Sequence, residues 1–172
     1  MAATEKKQIW QWSGKTPKIR EFPIATTQGI YMAGSPCYLT TSGTVKLQVT
    51  TSGAGEGFLG FLCEGVAAQL AANTKVKVAL ADKDSVYAIY CESGGADAAM
   101  TQAYVGNKYG FTISATTGHI GYATLKLDSG STNVIPLVVD AAFNVSDAYS
   151  SSDAAGVALV KIPVTNLQAT DT

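Results

Sequence analysis

The side chains that could do chemistry in this chain are few: one histidine, three cysteines and thirteen acids among 172 residues. His119 follows Gly118 at the start of a strand-like stretch. As a general base it would need a paired carboxylate and a nucleophile, and as a metal ligand it would need companions. No such set accompanies it. Asp82, Asp84 and Asp128 fall in short polar stretches where turn capping and solubility account for them. Cys37, Cys63 and Cys91 are odd in number, scattered and without a C-x-x-C pair, which reads as buried free thiols rather than a disulfide framework or a zinc site.

Three patterns imitate known chemistry. Gly55–Gly60 spells G-x-G-x-x-G, but the dinucleotide motif requires a helix after it, and here Phe61–Leu62–Cys63 follows. Glu56 would also repel a phosphate, so a glycine-rich hairpin is expected. Gly14–Lys15–Thr16 matches the end of a phosphate loop, yet the position of the opening glycine is held by Ile9. Asn144–Val145–Ser146 is a glycosylation sequon with meaning only in a secreted chain. No catalytic residue, cofactor, metal ligand or small-molecule substrate is assigned, and the chain reads as a non-enzyme.

The elements that would position any site are strands. Val76, Val78 and Leu80 alternate with Lys75 and Lys77, and Val45, Leu47 and Val49 alternate with Lys46, Gln48 and Thr50, the period of half-buried strands. Further strands are expected over 86–91, 109–114, 120–128, 133–139 and 157–164, with Pro163 ending the last or placing it at an edge. Residues 29–39 form a strand or strand pair broken at Gly34–Pro36, and 58–63, apolar on both faces, a buried or interface strand. Residues 64–73 leave a two-turn helix and an extended run into an Ala72–Asn73 turn both open, the extended run preferred because the segment is too short for a helix stable by propensity alone. One helix is expected, with Asp97 as N-cap, Ala98–Val105 as body and Gly106 as stop. Residues 141–156 form an exposed excursion. The fold class is mainly β: a small β-barrel or β-sandwich with an extended N-terminal arm and at most one or two short helices.

Charged residues are only 15% and the net charge is −1, against a nucleic-acid binder that depends on a basic field. The most apolar stretch, 57–72, is interrupted by Glu64 and Gln69 and falls short of a membrane span. No signal-like apolar run follows Met1–Lys7, so synthesis in a reducing cytoplasm is expected. Three parts are expected: an extended arm over 1–24, one β-rich domain over 25–165 and a polar tail over 166–172. The arm holds Lys6, Lys7, Lys15, Lys18 and Arg20 with both tryptophans, Trp10 and Trp12. Aromatic and Arg anchors of this kind serve a partner's surface. They serve equally to cap the chain's own core, and both readings stay open.

Residues 57–140 resemble the head decoration or cement proteins of tailed bacteriophages. The likeness is carried by Gly57–Ala68 leading into Asn73–Val78, by Val86–Tyr90 followed by Ala103–Tyr109, and by Leu127–Asp128 with Asn133 and the apolar run to Val139. It implies a structural protein on the outer surface of the virion capsid, made in the host cytoplasm. Its partner would be the major capsid protein, and it would act as a homo-oligomer with no nucleic acid or membrane bound. On that reading Ile9, Trp10, Trp12, Lys18 and Arg20 make the capsid or neighbour contacts. The alternative is a carbohydrate- or host-receptor-binding β-module of a phage fibre or spike, with Tyr104, Tyr109 and Tyr149 stacking on sugar rings.

Overall fold

The computed structural model describes residues 10–25, 31–47, 57–66, 70–93, 96–113, 123–127, 137–142 and 156–162. These contain strands β1 (Trp10–Ser13), β2 (Ile19–Pro23), β3 (Pro36–Leu39), β4 (Val45–Lys46), β5 (Gly57–Leu62), β6 (Lys75–Leu80), β7 (Val86–Ser93), β8 (Ala96–Asp97), β9 (Lys108–Ile113), β10 (Ala123–Lys126), β11 (Leu137–Ala142) and β12 (Val157–Lys161). The chain is mainly β, as its alternating patterns predict. Among the described residues the only helical turn is a 3₁₀ turn, Gln102–Tyr104, and no helix there is long and apolar enough to cross a membrane.

Two sheets form. In the larger, β7 pairs with β10, β10 with β9, β9 with β11, β11 with β12, and β12 returns to β7, so the pairings close into a circuit. Among the described residues β1, paired with β7 alone, is left as an edge of this sheet. The long β7 also carries β1 and β8. The smaller sheet runs β2-β6-β5-β3-β4. Just past β2, Ile24 bridges to Val45 of β4, which curls this sheet round as well.

Alternation along each strand sorts side chains between cores. In β6, Val76, Val78 and Leu80 are buried while Lys75 and Lys77 are exposed, the pattern legible in the sequence. They join Ile24, Cys37, Val45, Leu47, Leu59, Leu62 and Val66 in the cluster enclosed by the smaller sheet. A second core lies between the sheets, where Tyr38, Phe58 and Phe61 meet Tyr87, Ile89, Cys91, Phe111, Leu125 and Val160. Strand β5 serves both cores because its register slips: Cys37 faces Gly60 while Tyr38 faces Phe58. The extra residue puts Phe58 and Phe61 on one side and Leu59 and Leu62 on the other.

The helix expected over Ala98–Val105 is replaced. Asp97 pairs with Glu92 as part of β8, Ala98 N–H donates to the Cys91 carbonyl at 3.1 Å, and Gly156 N–H donates to the Ala98 carbonyl at 2.9 Å. Met100 is buried with its sulfur 3.9 Å from Cys91 Sγ. Backbone bonds to Cys91 and Gly156 and a seat in the core outweigh the helix propensity of three alanines, a preference worth only tenths of a kcal/mol per residue. Strand β11 runs on through Ala141–Ala142 into the stretch expected to be an excursion. Strand β12 lies between β7 and β11, so it is not an edge strand, and it ends at Lys161 ahead of Pro163. The described part of 64–73 has no helix and turns at Ala72–Asn73, with Asn73 at φ 68°.

On the other face of β7, a polar pair is sealed in. Thr124 Oγ1 donates to Glu92 Oε2 at 2.7 Å, with the two residues 0% and 6% exposed. Replacing Thr124 by Val keeps the shape and removes the hydroxyl donor to the buried Glu92 side chain. We expect Thr124→Val to cost about 1–3 kcal/mol in urea unfolding, and a cost indistinguishable from zero would show that water replaces the hydroxyl.

Candidate functional site

The functional candidates of the sequence lie at the N-terminal strands. Extended geometry over 10–13 and 19–23 follows from the alternation of large and polar residues and from Pro17 and Pro23. Each stretch pairs into one of the chain's own sheets. Strand β1 lies antiparallel to β7, with Trp10 opposite Ala88 and Gln11 opposite Tyr87; Trp12 is the extra residue of a bulge before Ser13 meets Val86. Strand β2 lies antiparallel to β6, with Arg20 opposite Val78. The expected contact residues are therefore divided: Trp10 and Trp12 sit on the larger sheet, and Arg20 on the smaller, with Lys18 just before it. Lys18 and Arg20 are exposed, and Ile9 lies outside the described residues.

The link between β1 and β2 crosses the β6–β7 turn at Gly14. Its φ is +129°, and a Cβ there would run into Ser85, so the glycine of Gly14–Lys15–Thr16 serves a backbone crossing. The turn beneath is built by Asp82. Its Oδ1 accepts from Asp84 N–H at 2.8 Å and Ser85 N–H at 2.9 Å, and its Oδ2 accepts from the Ser85 hydroxyl. Lys83 donates to Asp84 at 2.6 Å. That hydrogen bond, with Lys15 and Lys161 nearby, holds the exposed Asp84 carboxyl below its ordinary range. Asp82 thus caps the turn, and Asp84 is an exposed carboxylate paired with Lys83, in line with the capping and solubility expected of them.

The described part of the G-x-G-x-x-G match dissolves into strand. Gly57 opens β5 and Gly60 stands in its middle, paired to Cys37 and Leu80, so no helix N-terminus is available for a phosphate. Among the described residues no group of three His, Cys, Asp or Glu converges. His119, Asp128, Tyr149, the 144–146 sequon and the 166–172 tail lie outside the described residues. Tyr104 and Tyr109 pack edge to face, centroids 5.9 Å apart, both partly buried against the inter-sheet core.

The cysteines are free, Cys37 and Cys91 buried and Cys63 partly exposed. Burial pushes the Cys37 thiol well up, and pushes Cys91 up to about 12. Since the thiolate is the reactive species, an alkylating reagent should label Cys63 alone in the folded protein and all three in denaturant. Labelling of Cys91 in the folded state would contradict its burial. The pH dependence follows. Between the ordinary thiol value of 9.0 and about 12 the folded chain keeps the Cys91 proton while the unfolded chain loses it. The unfolded state then binds fewer protons, and stability falls as pH rises through this window. Cys91→Ala should flatten that decline.

What the sequence did not disclose is the sealed Glu92–Thr124 pair and the choice of partner strands. Glu92 and Thr124 are 32 residues apart, and partner strands such as β1 and β7 are further apart still. Compared with known proteins, the chain matches no family profile, no curated protein and no solved structure.

Proposed function

We propose that the protein is a structural virion component, a decoration or cement protein that binds the outer surface of a phage capsid and stabilises the shell. Its partner is the major capsid protein and its neighbours are further copies of itself. The observation that carries this reading is mechanical. Two curled sheets are joined through one core in which Phe58 stacks on Phe111 at 5.8 Å and Phe61 meets Tyr87 at 4.7 Å. An interior packed in this way transmits strain with little deformation, as a brace must. The resemblance to decoration proteins falls largely on this part, from β5 to β11. Repetition over a shell lets modest affinity per copy suffice. The contacts are assigned to Ile9, Trp10, Trp12, Lys18 and Arg20.

Co-sedimentation with shells of the encoding phage, purified without this protein, tests the reading. Saturable binding to the shells, absent with an unrelated β-protein, is expected; no binding overturns it. A second reading, a glycan-binding module, draws on the Tyr104–Tyr109 pair, with Asn107 between them donating to the Ala103 carbonyl at 3.0 Å. Glycan-array binding lost in Tyr104→Ala would favour it over the first.

A further inference from the structure

Among the described residues strand β2 ends its sheet, and its hydrogen-bond phase fixes which groups face outward. Leu80 N–H donates to the Lys18 carbonyl at 2.8 Å and Ile24 N–H to the Thr74 carbonyl at 2.8 Å. With Ile19 opposite Ala79 and Pro23 opposite Lys75, the even-numbered residues form the bonded pairs with β6, because bonded and non-bonded pairs alternate in an antiparallel ladder. Ile19, Glu21 and Pro23 therefore turn their backbone groups away from β6. Ala25, next in phase, donates to the Val45 carbonyl at 2.7 Å and closes the curl. Pro23 has no N–H, so the open edge offers donors only at Ile19 and Glu21. Both side chains are exposed, and Ile19, 60% exposed, is the exposed large hydrophobic residue of the described chain.

A second copy does not suit this edge. A two-fold antiparallel pairing that sets Ile19 opposite Glu21 brings Arg20 directly against its own symmetry mate. Shifting the axis to Glu21 sets two carboxylates together and places Ile19 opposite Pro23, which cannot donate. Like charges directly opposite each other oppose pairing, and such devices keep edges from joining their own kind. We infer that β2 is a strand-addition site for an extended segment of a different protein, antiparallel to it, reading basic, acidic, apolar from N to C. The basic residue faces Glu21, the acidic one Arg20 and the apolar one Ile19. Backbone bonds would supply affinity and the three side chains selectivity. This deepens the virion reading, on which the partner would belong to the shell.

The experiment uses the full chain and a synthetic peptide with a lysine–glutamate–valine core, read by amide hydrogen exchange. Exchange should slow at Ile19 and Glu21 and stay unchanged at Arg20 and Phe22, which already bond to β6. A variant carrying Arg20→Glu and Glu21→Lys should bind about tenfold more weakly, and a glutamate–lysine–valine peptide should restore binding to it. Unchanged exchange at Ile19 and Glu21 in saturating peptide overturns the inference. So does equal affinity of both peptides, or protection of the same amides by raised protein concentration alone. The same variant on undecorated shells separates the two readings. If the parent binds shells and the variant binds equally, the edge assignment fails and the virion reading stands. If the peptide protects Ile19 and Glu21 but the parent binds no shells, the edge stands and the virion reading fails.

Discussion

Phe58→Ala should lower stability by about 3–5 kcal/mol and should unfold both sheets in a single transition. Phe58 is 0% exposed, and its ring touches Tyr38 and Phe61 of its own sheet and Phe111 of the other. Removing it deletes the Phe58–Phe111 contact between the sheets as well as the transfer free energy of the ring, leaving Phe61 against Tyr87 and Phe111. A domain of ordinary stability holds only about 5–15 kcal/mol, so the loss is large. Denaturant unfolding followed both by near-ultraviolet dichroism and by amide signals from β6 and β12 is the measurement. A cost below about 1 kcal/mol would contradict the shared core. Separate transitions for the two strands in the parent protein would contradict it as well.

Gly60→Ala is the second large effect, expected at about 2–3 kcal/mol although it adds a single methyl group. Gly60 lies between β3 and β6, next to the position where β5 carries its extra residue. A Cβ there would collide with the Ala79 carbonyl oxygen and the backbone of Leu80. The obstruction is main chain, so no side chain can swing aside, and the β5–β6 pairing must shift. Thermal unfolding of the variant measures the cost, and a melting temperature equal to the parent's would mean that β6 does not approach β5 this closely. The last glycine of the apparent dinucleotide motif is in this way explained by packing between strands.

The fold was legible in the sequence wherever a strand has one wet face. Lys75–Leu80 is the plainest example, its apolar residues inside and its lysines outside. Where both faces are buried, as in β5, sequence showed a strand but could not show that a one-residue slip divides Phe58 and Phe61 from Leu59 and Leu62. Pairing order was not legible either, because hydrogen-bond partners such as Cys91 and Gly156 are distant in sequence and carry no local mark. The stretch Asp97–Val105 shows the reverse failure. Its alanines and flanking glycines spell a helix locally, and the bonds from Ala98 to Cys91 and from Gly156 to Ala98 override them. At the N-terminus the extended character of 10–13 and 19–23 was legible from the prolines and the alternation. The insertion of these stretches into two different sheets was not. The open edge of β2 follows only from the phase of its ladder with β6, which no composition or spacing discloses.

The proposed capsid-bracing role is tested most directly by heating genome-filled phage shells, with and without saturating protein, and recording the temperature of genome release. A brace bound across the shell should raise that temperature, in proportion to occupancy, and the Phe58→Ala variant, whose sheets are less firmly joined, should raise it less. Release at the same temperature with every site occupied, or no occupancy at saturating protein, would contradict the account.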